Sequence, residues 1–369
     1  MKKTLLAAAL LAGFAGVAQA ETQVTLYGII DTGIDYGKYT RADGVSINHF
    51  GLTQGSQSGS RWGLKGTEEL GDGLKAIFQL ESGLDSSNGY SAQGGRLFGR
   101  QAWAGLANAS WGQVEFGRIY SAPTSLLAPL DPFSQGWGLA NLGTTFSAFN
   151  TERLDNGILY LSPVFSGFQF GANYSFNTGD TGAGVMKDAT AHTTREIALA
   201  ATYTNGPLFV GASYSQLNEP SNSPTLSGVT PREEIIGATY DFQVVKVHAG
   251  YSHTSDGWFV GNTATLDGDQ TNMINNSTVK GLKANAYFLG ATVPIGAVTK
   301  VFASWQHATI SGYDPGLYIN PSSTYVNTLA PENIFSLGAT YSLSKRTNLY
   351  AVAAYDKNYA GVAGQKATD

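Results

Sequence analysis

Basic side chains on one face of extended segments are the residues of this sequence best suited to act on ions and polar solutes. Arg61 and Lys65 share a face, and Trp62 lies on the opposite face. Arg100 likewise points away from the side that carries Trp103. Alternate residues of a strand face opposite sides, and a guanidinium stays charged at any working pH. Such residues can maintain a permanent electric field, so the elements that position them have to be identified.

Signatures of catalysis, metal binding and cofactor binding are absent from the sequence. There is no cysteine, which excludes thiolate metal sites and a cysteine nucleophile. Asp267-Gly268-Asp269 with Asn272 resembles part of a calcium loop but lacks the spaced glutamate. No Gly-x-Ser-x-Gly, P-loop or dinucleotide fingerprint occurs, and no Ser–His pairing suggests a barrel lipase. The histidines lack metal-ligand spacing: His49, His192, His248, His253 and His307. We therefore expect neither an enzyme nor a cofactor.

The first twenty residues have the features of a cleaved signal peptide. Lys2 and Lys3 precede an apolar run, and Ala18-Gln19-Ala20 is a small-x-small cleavage site. Loss of these two lysines changes the formal charge from −5 to −7, which argues against nucleic acid as a partner. No other apolar stretch is long enough for a transmembrane helix. Residues 21–369 are therefore expected to form one exported domain that is periplasmic, secreted or a membrane barrel.

Strict alternation of apolar and polar residues favours the barrel. In residues 168–176 every even position is apolar and every odd one is small or polar, and residues 208–215 and 245–252 repeat the pattern. These runs approach the ten residues or so of a tilted transmembrane strand, whereas ordinary strands average about five or six. Their polar faces carry Gly, Ser, Asn and Gln, which suits a water-filled lumen. A secreted soluble sandwich used for adhesion is the alternative.

The connections also alternate, with short turns on one rim and long polar loops on the other, as in outer-membrane barrels. The long ones include residues 38–59, 179–193, 217–231, 256–280 and 311–331. About fifteen strands are predicted: 22–36, 60–69, 74–83, 97–107, 111–118, 156–163, 166–176, 194–204, 207–216, 232–242, 243–254, 281–292, 296–307, 332–343 and 346–356. Bacterial barrels have even strand numbers, so a sixteenth, last strand is expected to be missing. Four strands share the repeat Gly-Ala-x-Tyr: it begins at Gly171, Gly211, Gly237 and Gly338.

Residues 119–150 form a connection far longer than a hairpin requires. Its apolar residues are too many for a solvated loop: Pro123, Leu126, Leu127, Pro129, Leu130, Phe133, Trp137 and Leu139. Asp131 is the only acidic residue in this stretch. We expect this connection to fold against the inner wall of the barrel; contact with a neighbouring subunit or a cap over the rim is the alternative.

Several motifs resemble the trimeric general porins of Gram-negative bacteria, in their neisserial and β-proteobacterial branch. The resemblance rests on Thr25-Leu26-Tyr27-Gly28 and on residues 60–71, 96–106 and 116–118. It implies a transmembrane antiparallel β-barrel of sixteen strands, a homotrimer, and a third loop folded into the pore. Porins of the family end in a strand whose last residue is aromatic, whereas Gln365-Lys366-Ala367-Thr368-Asp369 closes this sequence. The resemblance therefore also indicates a C-terminally incomplete barrel.

The resemblance also assigns a pore constriction. Arg61, Arg118 and Arg153 match constriction arginines of general porins, and Asp131 lies in the loop whose acids face them. Arg118 has the parity of lipid-facing Phe116, so we expect a register change at the glycine between them. To this set we add one further arginine and two lumen-lining residues: Arg100, Lys65 and Glu115. More arginines than acids at the neck predicts a weak preference for anions.

The function expected is passive diffusion of small hydrophilic solutes and ions through an outer-membrane porin. Its expected partners are a homotrimer, outer-membrane lipid and lipopolysaccharide. The alternative is a channel specific for a small sugar or organic acid, since Trp137 and Tyr120 lie near the neck.

Overall fold

The computed structural model describes residues 23–40, 44–149, 153–178, 193–218, 229–257, 280–312, 330–358 and 366–368. Within these residues the chain forms one antiparallel sheet. Its strands are β1 Gln23–Ile29, β2 Thr32–Thr40, β3 Ser46–Gln54, β4 Arg61–Gly71, β5 Leu74–Gly83, β6 Gln101–Asn108, β7 Gly112–Tyr120, β8 Arg153–Leu161, β9 Phe168–Ser175, β10 Arg195–Asn205, β11 Leu208–Asn218, β12 Arg232–Asp241, β13 Lys246–Ser255, β14 Lys283–Ile295, β15 Thr299–Ser311, β16 Glu332–Ser342, β17 Asn348–Lys357 and β18 Lys366–Thr368. The predicted signal peptide, residues 1–20, lies outside the described residues.

The sheet closes on itself as a barrel. β1 pairs with β4 and β2 pairs with β3. β1 and β2 together therefore take the place of one strand in the barrel wall, called here a wall position, and β3 and β4 together take the next. With β5 to β18 the wall therefore has sixteen positions. β18 closes the ring by pairing three of its residues with β17 and the same three with β2. The sixteenth position, for which the sequence predicted no strand, thus holds this short segment.

Apolar side chains face outward and small or polar side chains face inward, the reverse of a soluble protein. On β16, Phe335 and Leu337 are 52% and 58% exposed, whereas Ser336 and Thr340 are 6% and 8% exposed. β10 shows the same alternation. An apolar outer face is stable in hydrocarbon, and a closed barrel is the only sheet that satisfies its backbone groups there. The transmembrane antiparallel barrel predicted from the sequence is confirmed.

The prediction of a long connection at residues 38–59 is wrong. β2 continues to Thr40, and β3 follows after a short gap. On β3 the large apolar residues that are exposed are Phe50 and Leu52. These two are too few to make the apolar–polar alternation of a strand visible in the sequence. Short turns at 72–73 and 206–207 are as predicted. The connections predicted at 179–193, 217–231, 256–280 and 311–331 lie mostly outside the described residues.

Residues 121–149, called here the inner loop, pack inside the barrel. The inner loop follows β7 and begins with the short helix α1, whose residues are Ala122–Leu126. An earlier turn at Ala92–Gly95 has positive φ at Gln93, Gly94 and Gly95 and is not a regular helix. Short 3₁₀ turns follow at Ala128–Leu130, Gly138–Ala140, Leu142–Thr144 and Ser147–Phe149. Leu127 and Phe146 are fully buried against wall residues such as Phe288, so the prediction of a loop folded against the inner wall is confirmed. None of the described helices is long and apolar enough to cross a membrane.

Wall glycines form the surface that receives the inner loop. A Cβ atom added to Gly211 would lie 2.5 Å from Leu127, and one added to Gly237 would lie 2.9 Å from Leu130. Four other strands repeat the arrangement: Gly171 faces Leu126, Gly250 faces Phe146, Gly290 faces Pro132 and Gly338 faces Phe133. We call these six glycines the glycine trough. Four of them open the Gly-Ala-x-Tyr repeats, so the repeated glycine leaves room for the loop.

Polar wall side chains fix the inner loop at one height in the barrel. Four of them bond to it: Asn173 accepts from the Ala122 amide at 2.7 Å, Glu233 accepts from the Ala148 amide at 2.6 Å, His248 Nδ1 lies 2.9 Å from the Leu130 carbonyl, and Gln306 donates to the Ala140 carbonyl at 3.1 Å. Buried backbone groups need such partners, since each one left unsatisfied costs about 1–3 kcal/mol. The loop is therefore held by apolar packing in the glycine trough and by side-chain bonds from the wall.

Candidate functional site: the pore neck

A cavity of about 530 Å³, called here the neck, lies between the inner loop and one sector of the wall. Its wall side carries Arg61, Arg100, Arg153 and Tyr120. Neutral residues line its loop side: Thr124, Ser125, Ser134, Gln135, Gly136, Trp137, Gly138 and Asn141. Residues 55–59, between β3 and β4, complete the lining. The arrangement places three guanidinium groups on one side of a passage and uncharged groups on the other.

One buried carboxylate and one phenol hold the three arginines. Arg100 Nε donates to Oε1 of Glu81 at 2.6 Å, and Arg61 Nη1 lies 3.9 Å from the same oxygen. The Tyr120 hydroxyl accepts hydrogen bonds from Arg100 at 3.1 Å and from Arg153 at 3.4 Å. The Arg153 guanidinium also lies over the Tyr120 ring, 5.2 Å from its centroid, in a cation–π contact. Glu81 was not a predicted site residue, although it alternates with Phe78 and Leu80 as an inward residue should.

Residues 55–60, called here the inner bend, position both sides of the neck. Asp31, at the junction of β1 and β2, accepts a hydrogen bond from the Ser58 amide at 2.7 Å. The Ser58 hydroxyl accepts in turn from Arg61 Nη2. The Ser56 carbonyl accepts from the amide of Trp137, in the inner loop. Sequence reasoning placed the bend in a surface loop and missed Asp31, since nothing in the local pattern shows that this segment turns inward.

Arg118 does not line the neck cavity. Its guanidinium bonds to the Asp155 carboxylate, and Arg96 Nη1 lies 2.8 Å from both oxygens of the same group. The register between β7 and β8 shifts between Gly117 and Ile119, which supplies the register change that Arg118 needs to face inward. Arg118 therefore shares a carboxylate with Arg96 beside the neck, and its guanidinium does not line the cavity.

Lys65 and Glu115 also lie away from the neck cavity. The Lys65 ammonium lies over the Tyr27 ring, 5.6 Å from its centroid, and Tyr27 donates to Glu81 at 2.9 Å on the inner wall. Glu115 is buried and accepts a hydrogen bond from Gln113 at 2.6 Å. Both side chains belong to the inner wall, but neither is among the residues that line the neck.

The expected pairing of Asp131 with the arginines is not formed. Its carboxylate is buried inside the inner loop and accepts hydrogen bonds from the backbone amides of Phe133 at 2.8 Å, Gln135 at 2.9 Å and Leu142 at 3.1 Å. A short acidic side chain satisfies turn amides of its own loop better than it reaches across a passage. Asp131 is thus an internal brace of the loop, and the prediction that it faces the neck requires correction.

Protonation of Asp131 is expected to tighten the docked inner loop. Burial raises its pKa from 3.8 to about 6, and the three backbone hydrogen bonds oppose that rise. Because the pKa of the Asp131 carboxyl is higher in the docked loop than in the undocked chain, protonation stabilises the docked loop. This stabilisation is complete below about pH 4, is lost as the pH rises through about 6, and amounts to about 3 kcal/mol. Hydrogen exchange of inner-loop amides, corrected for intrinsic rates, should slow from pH 7.5 to pH 4.5. Asp131→Asn should reduce the change, most of all at the amides of Phe133, Gln135 and Leu142 that bond to this carboxyl, and Asp85→Asn in an external loop should not; equal pH profiles for all three proteins contradict the assignment.

The arrangement at the neck acts electrostatically. Arg100 and Arg61 share the carboxylate of Glu81, whereas Arg153 is held by Tyr120, so three fixed cations are balanced by one carboxylate among the described contacts of the neck. Oriented guanidinium groups facing uncharged polar groups across a narrow passage create a transverse field, and polar solutes can align in it. Apolar solutes would have to displace ordered water without replacing its hydrogen bonds. Such an arrangement can sort solutes by charge and polarity.

A closed antiparallel barrel with an apolar outer face and a charged, narrowed passage defines an outer-membrane diffusion channel. The chain belongs to the Gram-negative porin family, whose model matches residues 7–361. It is 49% identical to an outer membrane porin protein of Bordetella pertussis, over 100% of this chain and 97% of that protein. It is 33% identical to outer membrane porin protein 32 of Delftia acidovorans, over 97% of this chain and 90% of that one.

A solved structure agrees with this assignment. The anion-selective porin from Comamonas acidovorans superimposes with a TM-score of 0.69 and 26% identity, covering 94% of this chain and 97% of that chain. The protein is therefore an outer-membrane porin for passive diffusion and not an enzyme, and the family predicted from the sequence motifs is confirmed.

Proposed function

We propose that Arg61, Arg100 and Arg153 form the selectivity site of this channel and give it a weak preference for anions. The observation that carries the proposal is the charge balance of the neck: Arg100 and Arg61 share Glu81, Arg153 contacts Tyr120 without a carboxylate among its described contacts, and the loop side is neutral. An excess of fixed positive charge in a passage raises the local anion concentration. The formal charge of the whole chain is −5, so the preference depends on where charges lie and not on their sum. The Comamonas relative, an anion-selective porin, supports the same sign.

A channel specific for one sugar or organic acid is less well supported. Such a channel needs aromatic faces that line a path for the solute. Trp137 is buried, and its ring packs against Phe133 at 6.0 Å, Phe302 at 5.8 Å and Tyr350 at 5.1 Å between centroids. The Tyr120 ring is covered by Arg153. The aromatic residues predicted near the neck therefore serve packing and arginine positioning, which favours general diffusion.

We also propose export through the N-terminal signal and assembly as a homotrimer, for which the family resemblance is the main support. OmpT of Vibrio cholerae, described as a trimer form, shares the fold with a TM-score of 0.58 at 15% identity. The mass of the detergent-extracted assembly, measured before and after heating, tests the trimer.

Removal of two neck arginines should shift the channel toward cations. Arg61→Ala with Arg153→Ala leaves Arg100 paired with Glu81, so the neck becomes nearly neutral. In planar bilayers under a potassium chloride gradient, the reversal potential should move toward the potassium equilibrium potential. Arg346→Ala, in the exposed turn before β17, removes the same charge from the rim and should change little. An unchanged reversal potential in the double variant contradicts the assignment of the selectivity site.

A further inference from the structure

Tyr350 contacts both sides of the neck, although it is not among the residues that line the cavity. It lies on the inner face of β17, between exposed neighbours. Its hydroxyl donates to Oδ1 of Asp31 at 2.6 Å, and Oδ2 of the same carboxylate accepts from the Ser58 amide at 2.7 Å. The Tyr350 ring meets the Trp137 ring edge-on, at 5.1 Å between centroids. One side chain thus connects the inner bend with the tip of the inner loop.

The bond to Asp31 reaches the charged side of the neck through the inner bend. The Ser58 hydroxyl accepts from Arg61 Nη2, and the Gly59 carbonyl accepts from Arg61 Nε at 2.9 Å. The Asp31 carbonyl also accepts from the Gly55 amide at 3.2 Å, which holds the other end of the bend. Because Arg61 bonds to the inner bend through two of its nitrogens, the position of its guanidinium depends on where the bend lies.

The tip of the inner loop has a backbone conformation that its residue types do not favour. Ser134, Gln135 and Trp137 have φ values of 51°, 62° and 74°, in the left-handed region that residues other than glycine adopt uncommonly. Such a backbone persists only where surrounding contacts hold it. Here the Ser56 carbonyl of the inner bend accepts from the Trp137 amide, and the Tyr350 ring supports the Trp137 ring. Loss of either contact therefore weakens the hold on the tip.

We propose that Tyr350 is a positioning residue that sets the width of the neck and thereby the size limit for permeating anions. Its hydroxyl fixes the inner bend through Asp31, and its ring fixes the loop tip through Trp137. The distance between the charged and the neutral side of the neck therefore depends on this side chain. Asn348, on the same face of β17, supports the bend by donating to Oε1 of Gln57 at 3.1 Å. The proposal rests on the neck as the selectivity site, but it concerns the width of the passage and not the sign of its charge.

Loss of the Tyr350 hydroxyl should release the inner bend in part of the population. Removal of one hydrogen bond to a charged group shifts such an equilibrium about tenfold toward the released state. In that state the loop tip can relax to ordinary backbone angles, and Arg61 moves with the bend. Large anions then gain more than chloride, because a narrow neck excludes them first. The anion preference should fall at the same time, since the attraction of the guanidinium groups weakens with distance.

The test uses two substitutions that separate the hydroxyl from the ring, in channels that migrate as folded barrels before reconstitution. Tyr350→Phe removes the bond to Asp31 and keeps the ring contact, whereas Tyr350→Leu removes both. In planar bilayers with sodium chloride on one side and sodium gluconate on the other, the gluconate-to-chloride permeability ratio should rise in Tyr350→Phe and rise further in Tyr350→Leu. Single-channel records of Tyr350→Phe should show a higher conductance level whose occupancy is about tenfold that in the wild type.

Tyr341→Phe and Tyr341→Leu are the matched controls, because Tyr341 is 50% exposed on the outer face of β16. Both should keep the permeability ratio of the wild type. Equal ratios in Tyr350→Phe and Tyr341→Phe would overturn the proposal even if Tyr350→Leu differs, since ring packing alone would then explain the effect.

The double variant Arg61→Ala with Arg153→Ala, measured in parallel, separates this inference from the selectivity site. If the arginine variant shifts the reversal potential and Tyr350→Phe leaves the permeability ratio unchanged, the width assignment fails and the selectivity site stands. If Tyr350→Phe raises the ratio and the arginine variant changes nothing, the selectivity site fails and the width assignment stands.

Discussion

Glu81→Gln is expected to strengthen the preference for anions and to destabilise the folded barrel. The glutamine keeps an acceptor for Arg100 Nε, but it removes the carboxylate that pairs with Arg100 and Arg61. A hydrogen bond to a charged partner contributes about 1.5–3 kcal/mol, and like charges in a buried cluster then repel each other. Selectivity and stability should therefore change in opposite senses from one substitution.

Two measurements check this expectation. The reversal potential in a salt gradient should move toward the chloride equilibrium potential, and the temperature at which the folded form converts to the slower-migrating unfolded form should fall. Glu69→Gln is the control, because that carboxylate is exposed near the β4–β5 turn and bonds to Lys75 at 2.5 Å. If Glu81→Gln leaves both quantities unchanged, Glu81 does not compensate the arginines in the working channel.

The wall of the barrel could be predicted because alternation is a local property. Each strand repeats apolar-out and polar-in over its own length, and this repeat appears in residues such as Phe335 and Ser336 without knowledge of neighbouring strands. β3 was not predicted, because the apolar–polar alternation is weak in its sequence. The passage of the inner loop through the lumen was also predictable, since its apolar side chains had to be buried somewhere.

The neck could be predicted only in part, because it depends on contacts between distant segments. Arg61 was predicted from alternation and resemblance, and it lines the cavity. Glu81 and Asp31 act through partners about twenty to thirty residues away in sequence, and no local pattern marks them. Asp131 was misplaced for a related reason: an aspartate followed by turn residues can bond to its own loop, and composition alone does not show which partner it takes.

The structure gives a physical reason for the Gly-Ala-x-Tyr repeat that the sequence contains. Its glycines lie on β9, β11, β12 and β16, and each lacks the side chain that would occupy the place of Leu127, Leu130 or another inner-loop residue. The sequence indicated a repeated hairpin module. The structure adds that the repeated position lies at the height of the inner loop, so the repeat follows the loop's path across the wall.

Filling the glycine trough is therefore expected to widen the channel. In Gly211→Val with Gly237→Val, the new side chains would occupy the places of Leu127 and Leu130. Overpacking of this kind costs about 1–3 kcal/mol per site. The side chain at Gly237 would also meet the Ala249 carbonyl of the wall at 2.9 Å, but most of the cost falls on loop docking because the barrel wall is held by its own backbone ladder. We expect the inner loop to undock from the glycine trough in part of the population, which moves the neutral side of the neck away from the arginines.

Single-channel conductance should then rise while the anion preference falls, because a wider passage weakens the field of the neck and admits more of both ions. Gly33→Ala is the matched control, since a Cβ there meets only Tyr350 and Thr53 at 3.6 and 3.8 Å, which are ordinary contact distances. A drop in conductance with unchanged selectivity would show that the loop stays docked and that the wall deforms instead. Unchanged conductance in the double variant would mean that Leu127 and Leu130 repack locally and that the glycine trough does not control the width of the neck.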